Sequence, residues 1–283
     1  MIASPQFTAL PKSFWACVRY ISQKGGYTDR ATGEVKAYDL ESIRNLLQPF
    51  EIPPEHLASH QPMDVLLQAY FRYRAAALND RIRWLLMDRA EAQQLFQKLQ
   101  EELQPQCPIP HNKQKGEKAG PAYLTGIVNM LIEANLKNLP VDYNPLQLPT
   151  IAAGKALQRT LSRRYDGCFP SVNNPIALWE IKEYYHTTTF GSRVADGIYE
   201  TLLDGMELEE ARRSKQRNIQ HLLIVDSHFT WWVCGRSYLC RLVDMLNMGY
   251  VDEVLFGKEV LDRLPIIAEA WTQAYRQQYP LQE

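Results

Sequence analysis

Residues 176–185, Ile-Ala-Leu-Trp-Glu-Ile-Lys-Glu-Tyr-Tyr, constrain this chain most: an apolar run that nonetheless carries opposite charges two residues apart. Its branched and aromatic side chains favour a strand. Successive side chains of a strand point to opposite faces, so Glu180 and Lys182 project together with Leu178. Ala177, Trp179 and Ile181 form the other, apolar face. Charges in such a setting are costly to bury unless partners are built around them. One partner lies upstream. Asp166 sits in Arg164-Tyr165-Asp166-Gly167-Cys168-Phe169, within a short strand expected over 162–169. A hairpin through Asn173-Asn174-Pro175 would bring it beside the second strand, so that two carboxylates and an ammonium meet. Hard cations such as Mg²⁺ take oxygen ligands from one or two carboxylates and leave room for water and a substrate phosphate.

An Asp, a gap, then Glu-x-Lys on the next strand resembles the active site of the PD-(D/E)xK nuclease superfamily, which includes many restriction endonucleases. As a motif the resemblance rests on Asp166, Glu180 and Lys182; as an order of elements it covers residues about 120 to 260. Tyr165 stands where the family pattern has proline. The resemblance implies an α/β fold, a restriction-endonuclease-like core with a mixed central sheet flanked by helices. It implies Mg²⁺ (or Mn²⁺) held by Asp166, Glu180 and the backbone carbonyl of Ile181, with Lys182 positioning or activating the attacking water. Glu133, on a helix expected over 122–136, would be an additional acidic ligand. The implied activity is endonucleolytic hydrolysis of double-stranded DNA, of the sequence-specific type II restriction kind. Repair, mobile-element or RNA nucleases, or a degenerate non-catalytic DNA-binding core, are the alternatives. Cutting both strands of a duplex implies a homodimer, and the class implies a prokaryotic cytoplasm.

The whole chain is close to neutral, with 31 Lys and Arg against 32 Asp and Glu, so any nucleic-acid surface must be local. Lys113, Lys115, Lys118 and Arg163 belong to a basic excess between His111 and Arg164, and Arg212, Arg213, Lys215 and Arg217 form a second cluster. The polar stretch Thr187–Arg193 enters a helix whose first amides, with Arg193, suit a phosphate; His186 stands beside it. Five scattered cysteines, none in a Cys-x-x-Cys pair, argue against a disulfide framework and against zinc. The sequence predicts no membrane-crossing segment.

Residues 1–105 have helical spacing, with Asp39 a candidate cap for a helix carrying Ser42 three residues on. Prolines 105, 108 and 110 and the Lys/Gly-rich residues up to 120 predict an exposed linker or DNA-contacting loop at 106–120. The core is then expected over 121–283: a helix over 192–210 capped by Ser192, a covered strand at 221–225, another at 230–234, a helix at 237–246, a strand at 251–256 and a terminal helix.

Overall fold

The computed structural model describes residues 1–51, 62–112, 116, 119–186, 191–214 and 217–279, with the side chains of residues 192 and 193 outside that description. The amino-terminal part is helical: α1 (Lys12–Gly25), α2 (Leu40–Leu47) and α3 (Met63–Ala76), the last running through a π-helical turn at Ala77–Ile82 into a short α4 (Arg83–Leu85). Asp39 caps α2 as its spacing predicts, accepting from Ser42 N at 2.7 Å. Phe14, Trp15, Ile43, Leu67, Tyr70 and Phe71 form the core of this part.

After a break at Leu86–Asp88 comes α5 (Arg89–Leu103), opened by a full capping box between Asp88 and Glu91. It packs on α6 (Tyr123–Leu136), with Phe96 pressed against Gly126 so closely that a methyl group there would fall 2.5 Å from the ring. α5 therefore shares its core with the sheet and not with the helices before it, although its composition groups it with residues 1–105. The proline-rich stretch that follows is exposed at Gln106, Pro108, His111, Gly116 and Ala119, yet it is tied to α6. Cys107 is buried, Asn129 Nδ2 donates to Pro108 O, and Ala122 N donates to Pro110 O. Residues 113–115, 117 and 118, which include the candidate DNA contacts Lys113, Lys115 and Lys118, lie outside the described residues.

Two sheets follow. β1 (Thr150–Ala153) and β2 (Ala156–Thr160) form an antiparallel hairpin that the sequence analysis does not assign; Gly154, at φ +57°, turns it. The main sheet is mixed, in the order β3 (Gly167–Phe169), β4 (Ala177–Glu183), β5 (Gln220–Asp226), β6 (Glu253–Phe256). β3 is antiparallel to β4, and β4, β5 and β6 are parallel. The parallel step from β4 to β5 requires a crossover, supplied by α7 (Ser192–Arg213). Gly191 is its N-cap, not Ser192. α8 (Arg236–Asn247) and α9 (Val260–Gln278) complete the chain. The strand expected at 230–234 is instead a π-helical turn, His228–Cys234. Ser227, at φ +127°, accepts from Thr230 N and curls the chain, so Trp231 and Trp232 pack around a turn rather than on two faces of a strand.

The two faces of β4 meet different neighbours. Ala177, Trp179 and Ile181 join the core made with α5, α6 and α9, where Trp179 stacks on Trp271 at 5.5 Å and Trp271 on Phe169 at 5.6 Å. Leu178 packs on the other side with Leu208 and Ala211 of α7.

Candidate active site

The first expected strand is shorter than its sequence suggests. β3 begins at Gly167, and Asp166 stands immediately before it. Gly167 pairs with Trp179, and a Cβ on Gly167 would fall 2.1 Å from the Trp179 indole, so glycine lets the two strands close here. One residue further the strands part. Asp166 N donates to Trp179 O, but Ile181 N finds no strand partner there and donates to the Asp166 carboxylate at 2.7 Å. An extended residue presents its N–H and C=O to the same edge. The Ile181 carbonyl consequently faces the same fork as Asp166.

Glu180 and Lys182 flank Ile181 on the α7 side. Lys182 Nζ donates to Glu180 Oε1 at 2.6 Å and to Glu200 Oε2 of α7 at 2.9 Å. Arg163 completes the network, reaching Glu180 Oε1 at 3.1 Å, Glu200 Oε2 at 3.2 Å and Asp204 Oδ2 at 2.7 Å. Three carboxylates thus share two cations. The second oxygen of Glu180, Oε2, is buried and has no hydrogen-bond partner among the described residues; the same holds for Asp204 Oδ1.

Charge follows from this arrangement. Burial, and then the neighbouring Glu180, push the Asp166 carboxyl up to about 6. Burial lifts Asp204 to about 7 despite Arg163. Burial works against the Lys182 ammonium too, but Glu180 and Glu200 more than offset it and hold it charged well above the ordinary lysine range. Lys182 is therefore a donor here and not a base.

The remaining candidates are placed elsewhere. Glu133 is three turns from the fork end of α6, where its carboxylate accepts from Gln106 N at 2.9 Å and lies against Cys107, so it anchors the proline-rich stretch and does not join Asp166. The α6 residues that do meet the end of β4 are in its first turn: Glu183, on the apolar face, accepts from the amides of Leu124 and Thr125, the latter at 3.0 Å. Glu183 thereby caps a helix whose own N-cap residue, Ala122, has no side chain to do so. Arg163, a candidate phosphate contact, turns inward to the carboxylates instead. His186 Nε2 pairs with Asn112 Nδ2 at 3.0 Å beyond the end of β4. The loop 187–190 and the side chain of Arg193 lie outside the described residues. In the second basic cluster Arg212 bonds Asp252, Arg213 bonds Glu209, and Arg217 donates to Pro175 O; Lys215 is outside the described residues.

The site residues that the sequence reading missed are Glu200 and Asp204. They sit four apart on one side of α7, facing the strand, a spacing that alone signals only a helix face.

Two family models match the chain. One, described as Domain of unknown function (DUF7687), spans residues 87–271; the other, Domain of unknown function (DUF7690), spans residues 1–81. The chain belongs to the DUF7687 family. No curated protein and no solved structure matches it. The DUF7687 region holds the whole sheet, the fork and every residue of the charged network, and it begins before α5, in keeping with the packing of that helix on α6. No helix among the described residues is long and apolar enough to cross a membrane.

Proposed function

We propose that this protein is a Mg²⁺-dependent endonuclease acting on double-stranded DNA, with a restriction-endonuclease-like core. The observation that carries this reading is the fork itself: Asp166 bonded to the backbone between Glu180 and Lys182, beside a buried Glu180 oxygen without a partner among the described residues. The donor set fits a hard cation. It offers oxygen only, carries more carboxylate than positive charge, and holds Asp166 at a raised pKa that a divalent ion would lower again. Asp166, Glu180 and the Ile181 carbonyl would hold the ion. When bound, it would stabilise charge on a phosphoryl oxygen and acidify water. The protein's own contribution is clearer from the bonds present. Lys182, kept protonated by two carboxylates, orients a water or phosphate oxygen at the edge of β4. Glu200 and Asp204 hold Lys182 and Arg163 in place from α7.

The test is digestion of methylation-free plasmid and phage DNA with Mg²⁺, beside Glu180→Ala and Lys182→Ala. Discrete fragments from the wild type alone support the reading. Cleavage that survives in both variants puts the chemistry elsewhere. One observation favours a second reading, a non-catalytic core: Glu180 Oε1 is already taken up by Lys182 and Arg163. DNA binding without cleavage of duplex, single strand or RNA would favour it.

A further inference from the structure

In the network of Glu180, Lys182, Glu200, Asp204 and Arg163, Arg163 is the member that comes from neither β4 nor α7. It stands on the connection between β2 and β3, where the buried Leu161 and Tyr165 anchor the chain on either side and Ser162 and Arg164 are exposed. Its guanidinium is held unevenly. Nη1 donates to Asp204 at 2.7 Å, and the Tyr165 ring centre lies 5.9 Å from Cζ. Nη2 makes the longer bonds, 3.1 Å to Glu180 and 3.2 Å to Glu200. Arg163 thus has a pivot on Asp204 and a looser arm on Glu180. Lys182 lacks that freedom, since it shares a strand with Glu180 and bonds it at 2.6 Å.

The looser arm ends on the carboxylate that the proposed cation site needs. A guanidinium stays charged in a protein, so Arg163 sets a permanent positive charge 3.1 Å from Glu180 Oε1. In this partly buried setting that charge opposes a second cation strongly. Asp204 and Glu200 can still pair Arg163 once it leaves Glu180, so its release strands no buried charge. We propose that Arg163 is the resident counter-ion of this site: it holds Glu180 while no divalent cation is bound and turns away on Asp204 when one binds. The proposal rests on the reading of the fork as a cation site. It makes Arg163 the residue that sets cation affinity, and it reconciles the occupied Glu180 Oε1 with that reading.

The experiment is Mn²⁺ titration of the full chain, followed by electron paramagnetic resonance, for the wild type, Arg163→Gln and the double variant Arg163→Gln/Glu180→Gln. Circular dichroism checks folding. Glutamine removes the charge and keeps an N–H for Asp204. Arg163→Gln is expected to bind Mn²⁺ about tenfold more tightly than the wild type, and the double variant to lose that gain. A merely structural role gives the opposite sign, because loosening the segment that carries Asp166 weakens binding. A wild type that binds, with Arg163→Gln no tighter, overturns the proposal and leaves the cation site standing. A gain that persists without Glu180 overturns the proposal as well. If neither the wild type nor Arg163→Gln binds at millimolar Mn²⁺, the cation site falls and the proposal falls with it. Should Arg163→Gln not fold, the wild type decides by ¹⁵N NMR. Exchange of the Arg163 guanidinium protons with water is expected to speed up when Mg²⁺ is added, and unchanged exchange overturns the proposal.

Discussion

The two faces of β4 are made from alternate residues of one seven-residue strand, yet they bury charge in opposite ways. On the apolar face Glu183 has its requirements met by the first amides of α6, and Trp179 stacks between Gly167 and Trp271. On the α7 face Glu180, Lys182, Arg163, Glu200 and Asp204 satisfy one another only in part, leaving two buried carboxylate oxygens without partners among the described residues. Nothing about the strand backbone distinguishes the faces. The difference lies in what packs against each: helix ends and aromatic rings on one side, an acidic helix on the other. A fully satisfied carboxylate serves structure, and an incompletely satisfied cluster with excess negative charge is where a cation can bind.

The comparison breaks most directly at its apolar side. Trp179→Ala should cost about 3–5 kcal/mol, as for other buried aromatic truncations. Urea unfolding measures it, and a cost under about 1 kcal/mol would remove the stack from the account of the fold. Gly167→Ala should cost about 1–3 kcal/mol through overpacking against the same indole, and the combination with Trp179→Phe should be less than additive if the ring is what the methyl group strikes.

Both faces sharpen together as pH changes. Burial raises Asp166 to about 6 and Glu183, Asp204 and Asp226 to about 7, all above their values in an unfolded chain. Between those values the native state keeps protons that the unfolded state has released, so these groups add stability as pH falls from about 8 towards 5. The urea midpoint should be higher at pH 6 than at pH 8, and Asp204→Asn should flatten that rise. A midpoint that falls over the same interval would mean the carboxylates are better solvated than their burial indicates.

Mg²⁺ should separate the faces. It should raise Tm by a few degrees at pH 8, for a ligand present well above its Kd. The effect should fade below about pH 6 as Asp166 takes its proton. Asp166→Asn should abolish it, whereas Glu133→Ala should leave it intact, because Glu133 holds Gln106 and not the fork.

Much of this was legible in the chain. The alternation around Glu180 and Lys182 placed both on one face and Trp179 on the other, and the Asn173–Pro175 turn implied the antiparallel neighbour that brings Asp166 near. Asp39 was readable as a cap because its bond is local. What was not legible came from contacts between distant segments. Glu200 and Asp204 become site residues only when α7 crosses back over β4, and Arg163 turns inward only because those acids lie there. Nothing local to Glu183 reveals the α6 amides it caps. Trp231-Trp232 resembled a strand by composition, and the turn set by Ser227 overrode it. The Asp88–Glu91 capping box was present in the sequence and would have separated α5 from the helices before it.

The central claim is that Asp166 and Glu180 make a divalent-cation site at the fork of β3 and β4. Titrating Mn²⁺ into the full-length protein at pH 8, followed by electron paramagnetic resonance, tests it without requiring activity. Saturable binding that is lost in both Asp166→Asn and Glu180→Gln and kept in Glu133→Ala is the expected result. Binding unchanged in those two variants, or absent from the wild type at millimolar Mn²⁺, would contradict it.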